Sequence, residues 1–170
     1  QHLEEEKLAQ FIAKTDGQDE SMTFLEILKD TFQCYCQSGP RSNDKTLLLH
    51  GRLKYLIELF LKDKGYTVKI EQPVKSCNSS GEKSCDIVAY KDGDPFIVFP
   101  VKNIMTNYCQ NKNNNWENLS GECLHLKKAN EDLNIIPINI IFNRIPYCEN
   151  SSLIKKYENI QYDKSYKITK

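Results

Sequence analysis

The sequence predicts an α/β fold, a mixed central sheet flanked by helices with a helical pair ahead of it. Three observations carry that expectation. Residues 46–64 have helical apolar spacing and stop at Gly65, the usual place for a C-terminal glycine. Strand-like segments follow at 66–70, 86–90 and 95–101, the last two joined by the tight-turn tetrapeptide Lys91-Asp92-Gly93-Asp94. A further helix over 116–130 then separates them from a short apolar run at 135–142. Helix, strand, hairpin strands, helix, strand is the order of a sheet layered with helices.

Taken in order, residues 3–15 place Leu3, Leu8, Phe11 and Ile12 near one helical face, and Asp16-Gly17 breaks that segment. Residues 21–34 predict a second helix with Met22, Phe24, Leu25, Ile27, Leu28 and Phe32 apolar. The stretch 37–44 (QSGPRSND) is the clearest loop, and divides an N-terminal helical segment, 1–45, from a core domain, 46–170. Leu53, Leu56, Ile57 and Leu61 form the apolar face of the helix over 46–64. A polar loop over 75–84 leads to a strand that starts at Asp86. The run PFIVFPV, 95–101, is a continuous apolar strand closed by Lys102. The Asn-rich segment 103–115 is expected to be a loop, and Leu119, Cys123, Leu124 and Leu126 form the core side of the helix after it. Pro137 interrupts the strand at 135–142, and Tyr-rich alternation within 153–168 predicts one more strand. No internal repeats are visible.

Composition narrows the class. A chain of 170 residues with 39% hydrophobic and 27% charged content suits one globular domain and excludes a disordered chain. No apolar stretch is long enough to span a bilayer, and no signal-peptide pattern is read at the N-terminus, although a first residue of Gln1 fits a chain cut from something longer. Net charge is zero but uneven. Residues 1–45 hold five Lys/Arg against nine Asp/Glu, and the remainder carries a compensating +4, which is compatible with a phosphate-rich partner. None of the seven cysteines has the paired CxxC spacing of a structural zinc site. They read as reduced thiols of a cytoplasmic protein, with a Cys77–Cys85 disulfide as the main alternative. The sequons at Asn78, Asn118 and Asn150 are matches that an Asn-rich chain produces by chance.

The chemistry-bearing pair is Asp86 on one strand and Lys102 at the end of the next. A tight hairpin joins those strands, so both polar ends converge on one edge of the sheet. Phosphodiester cleavage uses this combination. Carboxylates hold Mg²⁺ (or Mn²⁺), the metal polarises the phosphate and acidifies a water, and a lysine orients that water or stabilises charge.

On these residues the chain resembles the PD-(D/E)xK nuclease superfamily, best known from type II restriction endonucleases. The resemblance covers about 100 residues, from the helix at 46–64 to the strand at 135–142. Asp86 fits the family's first acid and Lys102 its lysine, but Pro100 stands where the middle acid belongs. The resemblance therefore implies a restriction-endonuclease-like fold and a compensating acid on the following helix. Glu117 lies fifteen residues after Lys102 and Glu122 twenty after, about 140° apart around that helix; spacing favours Glu117. It also implies a helper glutamate on the helix before the sheet, matched by Glu58, whereas His50 is a weaker candidate because a lone histidine is more often structural. Expected metal ligands are thus Asp86 with Glu117 or Glu122.

The implied function is a Mg²⁺-dependent endonuclease on double-stranded DNA, of restriction type, acting as a homodimer or within a larger protein. Asn107, Lys112 and Asn114 of the Asn-rich segment are the residues expected to face DNA, because Asn reads adenine edges and Lys meets phosphate. Replacing residues 113–115 with alanine is expected to weaken DNA binding, and unchanged affinity would remove that idea. Two rival readings stand beside this one. The first is a nuclease-like domain that has lost catalysis and binds nucleic acid or a protein partner. The second is a structural domain of a longer secreted protein.

Overall fold

A computed structural model of the chain describes residues 24–38, 43–149 and 153–160. The helix expected over 3–15 lies outside them. Two helices come first, α1 (Phe24–Ser38) and α2 (Asn43–Phe60). Then follow β1 (Tyr66–Lys75), β2 (Glu82–Lys91), β3 (Asp94–Phe99) and β4 (Val101–Ile104). Helix α3 (Tyr108–Ala129) leads to β5 (Asn134–Ile135) and β6 (Ile138–Ile141). A hairpin of β7 (Arg144–Glu149) and β8 (Leu153–Asn159) completes the described chain. The fold is mixed α/β.

The sheet runs β1-β2-β3-β5, with antiparallel first steps and a parallel last one. Strands β4 and β6 pair parallel beside it. Two prolines explain why these pairs are counted apart. Pro100 has no N–H to give a ladder, so β3 stops at Phe99 and β4 begins at Val101. Ile136 and Pro137 likewise divide β5 from β6. The register is nevertheless unbroken: Val98 faces Ile135, Val101 faces Ile138, and Ile136 and Ile138 donate to the carbonyls of Val98 and Pro100 at 2.9 and 2.7 Å. The hairpin between β2 and β3 is the expected two-residue turn, with Asp92 and Gly93 both at positive φ (53° and 90°), the conformation that favours Asp-Gly there.

Two apolar layers cover the two faces of the sheet. Leu49, Leu53 and Leu61 from α2 and its C-terminal turn pack with Val68, Ile87, Ala89, Ile97, Phe99, Val101 and Ile140. Leu126 of α3 and Leu133 pack with Val74, Cys85, Val88 and Val98. Helix α1 joins the first layer through Ile27, 1% exposed, and through an Asp30–Arg52 ion pair of 3.0 Å to α2.

Several boundaries differ from expectation. Asp86 lies inside β2 rather than at its start, because the strand reaches back to Glu82 and pairs with a β1 that extends to Lys75. Lys102 is the second residue of β4, not the end of an unbroken strand. The Asn-rich segment is mostly helix: α3 starts at Tyr108, and only a short connection precedes it. The alternative Cys77–Cys85 disulfide is not formed; both are free thiols.

Candidate metal centre

Three elements bring three metal-ligating side chains together. His50 of α2, Glu71 of β1 and Asp86 of β2 each offer a ligand atom, and these atoms lie within 4.8 Å of one another. His50 Nδ1 and Glu71 Oε1 are 2.7 Å apart, with the imidazole side chain only 5% exposed. Edges of an octahedral site built at roughly 2.1 Å per ligand are about 3 Å, so a small inward movement would bring the set to bonding distance. Two carboxylates and one imidazole form a donor set suited to a divalent cation.

Glu71 and Asp86 meet because of a backbone irregularity. On either side of them β1 and β2 pair regularly, Ile70 with Ile87 and Gln72 with Cys85, which sets Glu71 opposite Asp86. Glu71 itself has φ 50°, left-handed backbone inside a strand, which an L-residue with a Cβ adopts at a cost of about 1–2 kcal/mol. The face alternation of both strands inverts at this step. Val68 and Ile70 pack in the α2 layer but Val74 in the α3 layer, and Ile87 and Ala89 in the α2 layer but Cys85 in the α3 layer. Regular alternation would keep each set on one face. A strained residue at the crossing point of two layers, carrying a carboxylate beside another, is the kind of outlier that marks a functional position.

Pro100 fixes the other half of the site. The next N–H, that of Val101, donates to Asp86 Oδ2 at 2.7 Å, which holds the carboxylate against the start of β4, one residue ahead of Lys102 in the chain. Lys102 Nζ lies 3.6 Å from Glu122 Oε2 on α3, and Lys83 Nζ lies at the same distance from the same oxygen. The Glu122 side chain is 7% exposed. Cys85 reports how close the acids are. Burial first, then the charges of Glu122, Asp86 and Glu71, push its thiol up to about 12. Burial and Glu122 raise Cys123 in the same sense.

Comparisons of the chain with protein-family models, with curated proteins and with solved structures gave no match. The site is therefore argued from its own geometry.

Of the acids singled out in the sequence, Asp86 is in the cluster, and Glu122 is the acid of α3 that meets Lys102. Glu117, favoured by spacing, is exposed on α3. Glu58 pairs with Lys54 at 3.2 Å on the half-exposed flank of α2. It lies two turns beyond His50, about 12 Å along the axis, so His50 is the α2 side chain brought to Asp86. Asn107 is pinned: its Oδ1 accepts from the Cys148 N–H at 2.7 Å and its Nδ2 donates to the Cys148 carbonyl at 3.0 Å, tying the start of α3 to β7. Lys112 and Asn114 are exposed on α3. Glu71 went unnoticed in the sequence, where it follows an alternating strand and carries no motif. His50, flanked by LLL and GRL, was the legible hint, a polar residue within a buried helical run.

Beside the cluster lies a cavity of about 230 Å³ between α1, α2, β4 and α3. His50 and Lys102 both line it, with Lys45, Asn103 and Asn115 among the polar groups of its wall. Burial lowers the pKa of Lys45.

Proposed function

We propose that the protein is a metal-dependent endonuclease that hydrolyses DNA phosphodiester bonds. The single observation that supports this best is the convergence of His50, Glu71 and Asp86, with Asp86 bound by the N–H of Val101, the residue before Lys102. The architecture fits a restriction-endonuclease-like domain: a helix, an antiparallel three-strand meander, a crossover helix, and a last strand parallel to the third.

In this reading His50, Glu71 and Asp86 hold the cation, Mg²⁺ or Mn²⁺, and the imidazole favours Mn²⁺, since nitrogen donors suit it better than Mg²⁺. When bound, the ion polarises a phosphate oxygen and makes its water more acidic. Glu71 and His50 supply donors that a middle acid at position 100 would have given. Asp86 is aimed by the Val101 N–H. Lys102, steadied by Glu122, donates hydrogen bonds to the attacking water or to a phosphate oxygen. Charge supports this assignment. Glu71, Asp86 and Glu122 against Lys83 and Lys102 leave the site one negative charge, which a divalent cation converts to one positive charge facing a phosphodiester.

Pro100 favours a second reading, a nuclease-like domain without catalysis that binds nucleic acid or a protein partner. Plasmid cleavage separates the two. The nuclease reading expects Mn²⁺- or Mg²⁺-dependent cutting by the wild type that falls on the order of 100-fold in Lys102→Ala, the loss typical of removing one charge-stabilising donor. Cutting at equal rates by both proteins would remove Lys102 from the mechanism, and no cutting by either with any cation while nucleic acid still binds would move the assignment to the second reading.

A further inference from the structure

Lys83 of β2, Lys102 of β4 and Glu122 of α3 form a charged group that adjoins the metal centre through β2, where Lys83 is three residues, about 10 Å, from Asp86. Glu122 lies one turn from both Leu119 and Leu126 on the buried stripe of α3, which is why its side chain is only 7% exposed. Lys83 is two residues before Cys85, so it shares that residue's face of β2 and points toward α3.

A buried carboxylate needs a counter-charge, and one ammonium supplies it. Here there are two. Each is 3.6 Å from the same Glu122 Oε2, so they are at most twice that distance apart. The second positive charge is surplus to Glu122 and repels the first. Neither lysine is spent on a hydrogen bond: 3.6 Å is too long for one, and among the described residues neither ammonium makes another. Each keeps its three donors, on side chains that stay 40% exposed at Lys83 and 28% at Lys102. Surplus positive charge with donors in hand suits a further anion. Lys102 lines the cavity that His50 also lines, and Lys83 does not, so the two ammonium groups meet different points of a polyanion.

We propose that Lys83 is a substrate-binding residue, holding a backbone phosphate next to the one that Lys102 and the cation take. Glu122, shared by both lysines, sets the spacing between them. The inference rests on the nuclease reading and adds a contact that the family resemblance does not supply.

The wild type, Lys83→Gln, Lys83→Arg and Lys91→Gln are titrated in EDTA with a fluorescently labelled duplex oligonucleotide at several KCl concentrations. Lys91 closes the other end of β2, eight residues or about 26 Å away, and controls for the loss of one charge anywhere. Lys83→Gln should weaken binding about three- to ten-fold and lower the slope of log affinity against log salt by about one, while Lys83→Arg and Lys91→Gln stay within about two-fold. With Mn²⁺, kcat/KM of Lys83→Gln should fall by that same factor, and single-turnover cutting at saturating protein should stay within about two-fold of the wild type. In the wild type, bound DNA should protect Lys83 from acetic anhydride, read by mass spectrometry, and leave Lys91 reactive. Unchanged affinity and slope in Lys83→Gln, equal losses in Lys91→Gln, Lys83 labelled as fast with DNA as without, or a wild type that binds no DNA would each overturn the proposal. The expected Lys83 losses in binding, with no cutting by any cation, would instead sink the nuclease reading and leave Lys83 as a phosphate contact.

Discussion

Glu71 concentrates the physics of the site in one residue. Its left-handed backbone is costly for any residue with a Cβ, and its carboxylate is 2.7 Å from His50. Glu71→Gly and Glu71→Ala both remove the carboxylate and differ chiefly in tolerance of φ 50°. The glycine variant is expected to be more stable than the alanine variant by about 1 kcal/mol in urea unfolding. Equal stability would mean the backbone there is unstrained. Cys85 offers a chemical check on burial around the acids. Its thiol is buried and raised to about 12, whereas Cys77 is exposed. In the native protein at pH 8, iodoacetamide should label Cys77 and spare Cys85 by mass spectrometry. The sign follows from linkage: a thiol raised above its unfolded value of 9.0 stays protonated and supports the fold below pH 9, and that support is lost as pH climbs toward 12. Asp86 and Lys102 were legible at this scale because each borders an apolar run. The left-handed turn at Glu71 was not, since no residue type there announces positive φ as glycine would.

The elements follow local signals where those signals are chemical, and depart where pairing decides. Asp92-Gly93 and Pro137 turned or divided the chain where expected, whereas α2 ends at Phe60, short of Gly65, which sits at positive φ at the end of the turn into β1. Strands β1 and β2 ran longer than their apolar stretches because Gln72 to Lys75 and Glu82 to Cys85 pair with one another despite polar side chains. Helix α3 absorbed most of the Asn-rich stretch, against the modest helix propensity of Asn, because Leu119 and Leu126 anchor it and Asn107 fixes its start. Asn107→Ala removes both contacts to Cys148, and an expected loss of about 1–3 kcal/mol is measurable by thermal or urea unfolding. A change below a few tenths would show that β7 does not brace the helix. Spacing alone favoured Glu117 over Glu122, but the direction in which a helix presents its residues depends on how it docks, and Leu119 and Leu126 set that.

Across the whole molecule, helices on both faces of one sheet converge on the point where the strands change layer, and each brings a group there: His50 from α2 and Glu122 from α3. Helix α1 belongs to the same core through Ile27, so Ile27→Ala should cost about 2–5 kcal/mol in one cooperative unfolding transition, and a separate early transition would show α1 to be an appendage. Among the described residues no helix is long and apolar enough to cross a membrane. The layered α/β order was readable from periodicity and turn chemistry, while the identity of the third and fourth site residues depended on contacts between segments far apart in sequence. Single-turnover cleavage with Mn²⁺ should be compared among the wild type, His50→Ala and Glu58→Ala. If the cation is held by His50, Glu71 and Asp86, His50→Ala loses roughly 10–100-fold in rate and Glu58→Ala stays within about two-fold. The reverse order, or two variants that cut as well as the wild type, would contradict that assignment.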